Sequence, residues 1–228
     1  RKASMKEQGE LKSPEEARTA TGYLQARFKD ILGDSYIFPE SLDSLGQIET
    51  ENYVAVVHID GNNMGLRFSQ CKNLVERKQM SIKVAKICQD SFGKLLETII
   101  QELPAQLQNS SFGIRINEDN SKVYLPIRPL ILGGDDVTFV CMGRMALEYT
   151  QRFIEFMETN KELPIDCCGG IALIKTSYPF FRGYEMAEQL CGEAKKMSRK
   201  EKQQLVKENT ANIQCSSWLD FAILHGEQ

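Results

Sequence analysis

Three aspartates stand where apolar, strand-like runs end. Asp60 closes the run Tyr53–Asp60 (YVAVVHID), and Asp135 and Asp136 follow Gly133-Gly134 between the runs 127–132 and 137–141. Three hard oxygen donors brought to one point suit two Mg²⁺ or Mn²⁺ ions. Without cations such carboxylates repel one another and their pKa values rise. With a metal pair, one ion activates an attacking hydroxyl and the other neutralises a triphosphate and its departing pyrophosphate. Gly and Asp are also ordinary turn residues, so a plain hairpin turn is the alternative for 133–136.

Other residues could serve the same chemistry. Gly133 and Gly134 would let the backbone approach a phosphate or base. Asn62, Asn63 and Gly65 follow Asp60-Gly61 and could line a triphosphate with backbone N–H groups, or simply make a turn. Lys195 and Arg199 lie four apart on one helix face. They read either as a clamp on the β- and γ-phosphates or as a solvated basic face beside Lys196, Lys200 and Lys202. His58 precedes Asp60 by two and shares its side of the strand. It reads as a packed core histidine or as a group reaching the site.

The elements that must position these residues follow from periodicity. Ser13-Pro14-Glu15-Glu16 predicts a helix start, with Ala17 to Leu32 at helical spacing and Gly33 as the stop. Residues 34–50 read as a linker. The run 53–60, bounded by Gly61-Asn62-Asn63, predicts a buried strand. Apolar positions from Val84 to Leu103 predict a long amphipathic helix, followed by an irregular stretch over 104–124. The runs 127–132 and 137–141 form a hairpin around Gly133–Asp136. A helix is expected over 143–159, a strand over 165–174, a helix over 182–200 and a closing strand over 218–224. Gly169-Gly170 inside the 165–174 strand marks a bulge or the close approach of a ligand or backbone. The order β-α-ββ-α-β-α-β, with a hairpin in it, fits an α+β, ferredoxin-like fold with a mixed, mostly antiparallel sheet. Two parts are expected: an N-terminal helix and linker over 1–50, and a main domain over 51–228.

Composition sets the background. The chain has 228 residues, is 42% hydrophobic and carries a formal net charge of -3. That suits a globular core and gives no global basic field for nucleic acid, so cations for a triphosphate must be local. Seven cysteines without a CxxC pair, and two histidines, fit reduced thiols in a cytoplasmic protein rather than zinc ligands. No signal peptide is visible, and no apolar run reaches the length of a membrane span. A chain beginning at Arg1 rather than Met reads as a piece of a longer protein.

Together the motifs resemble the palm domain of the large polymerase/cyclase subunit of type III CRISPR effector complexes. That family is related to GGDEF diguanylate cyclases and, more distantly, to class III nucleotidyl cyclases. The matching segments are HIDGNNMG (58–65), LILGGDDVTFV (130–140), GGIA (169–172), AEQLCGEAKKMSR (187–199) and WLDF (218–221). The resemblance implies Asp60, Asp135 and Asp136 as metal ligands, assisted by the Gly61 carbonyl, with Lys195 and Arg199 on the triphosphate. It implies conversion of ATP into cyclic oligoadenylates in antiviral defence, among ribonucleoprotein subunits. Two nucleotides must meet head to tail, so a homodimer or a second palm is expected. The sequence departs from the family at Asn62, where a second acid is common. It also has GGDD in place of GGDEF. A scaffold palm that binds nucleotide without turnover and a GGDEF-type cyclase using GTP are the alternatives.

Overall fold

The computed structural model describes residues 20–45, 52–108, 116–117, 122–207 and 217–224. The expected helix start at 13–16, Cys215 and His225 lie outside these residues. By contact the chain divides into two units, one of residues 1–52 and 96–128, the other of 53–95 and 129–228.

The first unit carries α1 (Ala20–Arg27) and α2 (Lys29–Leu32), where the sequence reading had one continuous helix. Gly33 does end α2, with φ +54. The stretch read as a linker contains β1 (Tyr36–Ile37) and a short 3-10 turn (Leu42–Ser44). β1 pairs in parallel with a strand at Lys122–Tyr124, which pairs antiparallel with one at Ile116–Asn117. Phe28 and Phe38 pack edge to face with centroids 6.1 Å apart, and both are buried.

The second unit holds the five-stranded sheet. Its first strand, β2 (Tyr53–Gly61), leads through α3 (Met64–Ser69) into α4 (Leu74–Gln108). Counting the two strands just named as β3 (116–117) and β4 (122–124), the chain continues with β5 (Ile127–Gly133) and β6 (Asp136–Met142). Then come α5 (Ala146–Glu158), β7 (Cys167–Lys175), α6 (Phe180–Lys207) and β8 (Trp218–Leu224). The sheet order is β5-β6-β2-β7-β8. β2 runs antiparallel to both β6 and β7, and β7 runs parallel to β8. The first four strands with α4 and α5 make the ferredoxin-like βαββαβ pattern, and α6–β8 extends it by one parallel strand. This is the mixed, mostly antiparallel α+β fold that the sequence implies.

Alternation along the strands sorts the two faces. Phe139 and Ile59 point toward α4 and α5, where Phe92 meets Phe139 at 6.0 Å and Phe153 at 6.2 Å between centroids. His58, Asp60, Thr138 and Asp136 lie on the opposite face, the one that α6 crosses. The paired glycines of β7 let both layers approach. A Cβ on Gly169 would come 2.8 Å from Leu219 on the α5 side, and one on Gly170 would collide with Ala187 and Cys191 of α6. The reading of 169–170 as a close backbone approach therefore has a definite partner: helix α6.

Candidate functional site

Asp60 and Asp136 are direct partners across β2 and β6. Opposite residues in a sheet project to the same side, so one carboxylate-bearing pair closes this end of the face. One pair inward, His58 faces Thr138, and beyond that Val56 faces Val140, both buried. Asp135 sits in the two-residue turn between β5 and β6. Its carbonyl accepts the Gly61 N–H at 3.1 Å, which joins the hairpin to the end of β2. Gly61 is required at that seam, because a Cβ there would lie 2.9 Å from the Asp135 Cβ. Gly134 takes φ +83, the left-handed backbone that turn needs.

Helix α6 supplies the roof. Tyr184, Glu188, Cys191 and Lys195 follow spacings of four, three and four, so they share one stripe. The Tyr184 ring meets His58 edge-on at 6.0 Å between centroids. The Cys191 thiol donates to the Cys168 carbonyl at 3.2 Å. The Lys195 ammonium donates to the Asp60 carboxylate. His58 Nδ1 lies 3.2 Å from Thr138 Oγ1 and 3.6 Å from Asp136 Oδ1.

The electrostatics match a crowded acidic site. Burial raises the Asp135 carboxyl above its ordinary range; its own backbone hydrogen bond opposes this, and Asp60 adds to it. Burial also raises Asp136; His58 opposes, while Asp60 and Glu188 push it further up. Burial pushes the Cys191 thiol up to about 12, against the pull of Lys195, so this thiol is a packed donor and not a nucleophile.

A family model for the Cas10/Cmr2 second palm domain matches residues 53–205, more than half of the chain. The chain belongs to the Cas10/Cmr2 second palm domain family. No curated protein matches it. Among solved structures, this palm is similar to a Csm1-Csm4 cassette in complex with AMPPNP, at TM-score 0.49 and 15% identity over 67% of this chain and 21% of that one. It is similar to Csm1 in T. onnurineus at TM-score 0.47 and 17% identity, over 75% of this chain and 21% of that one. It is also similar to the active GGEEF domain of a diguanylate cyclase from Vibrio cholerae, at TM-score 0.40 and 12% identity, over 74% and 83% of the two chains. The palm spans about a fifth of the Csm1 chains it resembles.

The palm's residues fit a divalent cation in chemistry. The donors are carboxylates, the Asp136 Oδ1 atom is buried without a hydrogen-bond partner, and both turn acids are destabilised as anions by burial and by Asp60. As the side chains stand, no group of three or more His, Cys, Asp or Glu is set to hold a metal ion among the described residues. The Lys195 ammonium is the cation seated on Asp60.

The palm thus brings together Asp60, Gly61, Asp135, Asp136 and Lys195, and places Gly133 and Gly134 beside them. Asn62 is buried, with its N–H on the Asp166 carbonyl at 2.7 Å and its Nδ2 without a partner. The Gly61 and Asn62 N–H groups are therefore committed within the protein. Further along, at Gly65, a Cβ would have open space. Asn63 takes the left-handed conformation, φ 59, at the start of α3. Arg199 is exposed on α6, one turn beyond Lys195.

Sequence reasoning missed Tyr184 and Glu188, although their spacing to Lys195 was readable, and it missed Asp166. Burial raises the Asp166 carboxyl, opposed by Arg67 and Lys202. It also missed a cavity of about 720 Å³ lined by Arg67, Gln70, Gln79, Met80, Lys83 and Pro164, among others. Two lining residues are sequence neighbours of residues that pack on the acidic turns: Pro164 precedes Ile165, which lies 3.3 Å from where a Gly61 Cβ would be, and Lys83 precedes Val84, which lies 4.0 Å from where a Gly134 Cβ would be.

Proposed function

We propose that this palm is a nucleotidyl cyclase that joins ATP into cyclic oligoadenylates, working in the cytoplasm as part of a CRISPR-type ribonucleoprotein. The observation that carries the reading is the β2–β6 register, which sets Asp60 opposite Asp136 while Gly61 is bonded to Asp135. Family membership over residues 53–205 supports it.

The reaction forms a bond from a ribose hydroxyl to an α-phosphorus and breaks the bond from that phosphorus to the bridging oxygen, releasing pyrophosphate. Asp60, Asp135, Asp136 and the Gly61 carbonyl would hold two Mg²⁺ or Mn²⁺ ions, which would supply Lewis-acid activation of the hydroxyl and neutralisation of the phosphates. Lys195 leaves Asp60 for the β- and γ-phosphates, and Arg199 offers a bidentate fork to the same oxygens. Gly133, Gly134 and Gly65 leave the backbone open to the phosphates. The cavity receives the base, with Gln70 and Gln79 as amides able to pair with an adenine edge. One palm activates one triphosphate, so the partner nucleotide is presented by a second palm, in a homodimer or in the rest of a longer chain.

The scaffold reading has its own support: Asn62 replaces a common acid, and Lys195 holds Asp60. One assay separates the two. The protein is incubated with Mg²⁺ or Mn²⁺ and each labelled nucleoside triphosphate, and products are resolved by mass spectrometry. The expected result is pyrophosphate and a cyclic adenylate, both lost in the Asp135→Ala/Asp136→Ala double variant. Binding of ATP without turnover in either metal would establish the scaffold, and cyclic di-guanylate would establish a GTP enzyme. Turnover by a strict monomer at high dilution would exclude the second palm.

A further inference from the structure

We propose that His58 is a positioning residue that holds the Asp136 carboxylate in its ligand orientation through Nδ1, resting on the reading of Asp136 as a metal ligand.

The argument begins with where a histidine is expensive. His58 is 7% exposed, on the face where its β2 neighbours Val54 and Val56 are wholly buried apolar residues. An imidazole at such a position is unfavourable relative to an apolar side chain unless its polar atoms find partners. Nδ1 lies 3.2 Å from Thr138 Oγ1 and 3.6 Å from Asp136 Oδ1. The second is the more telling, because Asp136 Oδ1 is buried with no hydrogen-bond partner. A buried acceptor without a donor and a ring nitrogen face each other just beyond hydrogen-bond range. A small ring rotation closes the gap, and such contacts in ligand-free sites commonly tighten only when the site fills.

The surroundings direct that rotation. Tyr184 holds the ring edge-on from α6, and Thr138 Oγ1 lies within hydrogen-bond distance of Nδ1. The groups facing this node are Asp60 and Asp136 from the sheet, and Tyr184, Glu188 and Lys195 from α6. His58 Nδ1 is the nitrogen that the structure sets 3.6 Å from Asp136 Oδ1. The sheet thus places a His58–Thr138 pair directly beneath the Asp60–Asp136 pair. Partners behind a ligating carboxylate fix its direction, and losing one typically weakens metal binding about 10- to 100-fold.

The test uses near-isosteric side chains. Asparagine can place its amide nitrogen near the Nδ1 position, leucine fills the same volume without a donor, and glutamine reaches the Nε2 position instead. Mn²⁺ binding in the presence of a non-hydrolysable ATP analogue is followed by electron paramagnetic resonance, with thermal melting as the folding control. His58→Asn is expected to bind Mn²⁺ within about threefold of the unaltered protein, and His58→Leu about tenfold more weakly. A folded His58→Leu protein with unaltered Mn²⁺ affinity would overturn the proposal and leave the metal site standing. Absence of Mn²⁺ binding by the unaltered protein would overturn both. If His58→Leu fails to fold, the Asn and Gln variants decide: retention by Asn with loss by Gln supports positioning through Nδ1, and equal behaviour of the two refutes it.

Discussion

Replacing Gly170 with alanine tests whether the site depends on how closely α6 lies on the sheet. Gly170 pairs with His58 across β7 and β2. A Cβ built there falls inside van der Waals contact of the Ala187 carbonyl oxygen and the Cys191 nitrogen, and 2.9 Å from Leu190 Cβ. These are backbone atoms and a Cβ of a 28-residue helix, so no side-chain rotation relieves the overlap. Carbon atoms pack at about 3.5–4.0 Å, so the helix must withdraw by roughly 1 Å. Overpacking of this kind costs typically 1–3 kcal/mol, and the involvement of helix backbone places Gly170→Ala at about 3 kcal/mol. The same withdrawal lifts Lys195 from Asp60 and Tyr184 from His58. A displacement of about 1 Å in a catalytic arrangement costs on the order of 100-fold in rate.

Two measurements check this reasoning, with a control on the same helix. Urea unfolding of Gly170→Ala should show a lowered midpoint corresponding to about 3 kcal/mol. Cyclic-product formation by the folded variant should fall on the order of 100-fold. Gly192 lies on α6 with nothing within 4 Å of a Cβ, so Gly192→Ala should gain up to about 1 kcal/mol from helix propensity and leave turnover unchanged. Gly170→Ala with the stability of the unaltered protein would refute the claim that α6 sits in contact with the β7 backbone. A destabilised variant with full turnover would show that the helix position does not set the chemistry.

Two further outcomes follow from the charges. Asp136 has its carboxyl raised in the folded state, by burial first and then by Asp60 and Glu188 against the pull of His58. A carboxyl raised on folding gives its full stabilisation below the unfolded value, about 3.9, and loses it as pH rises through the folded value, so at pH 7 it opposes folding. Asp136→Asn should therefore raise stability at pH 7 without metal by about 0.5 kcal/mol for a half-exposed group, or roughly 1–2 °C in melting temperature, with the gain gone by about pH 4; a lower melting temperature at pH 7 would contradict it. Lys195→Met removes both the cation on Asp60 and the proposed clamp for the triphosphate. Calorimetry should show Mn²⁺ alone binding more tightly and ATP binding about tenfold more weakly; tighter binding of both would remove Lys195 from the phosphate site.

The parts of this fold legible in the sequence are those fixed by local pattern. β8 was read at its observed bounds, 218–224, because an apolar run follows a long polar stretch. The β5–β6 hairpin was legible because Gly134 supplies the positive φ that a two-residue turn demands. Helix α4 was read short at both ends. Leu74, Val75 and Ile82 are exposed and do not join the buried stripe, and the stretch expected to be irregular from 104 continues the helix one turn past Pro104 to Gln108. A proline loses only one backbone bond there, near the end.

The acids of the site were legible by type, and their convergence was not. It depends on the β2–β6 register, which is set across more than seventy residues by the packing of Phe92 on Phe139 and by the seam at Gly61. The seat of Lys195 depends on how far α6 slides along β7, and a single missing side chain, at Gly170, decides that. Asp60 and Lys195 lie 135 residues apart in the chain. Their ion pair is a consequence of two close approaches, one between turns and one between helix and strand. Enlarging either glycine should part Asp60 from its neighbours at the site without removing any of their side chains.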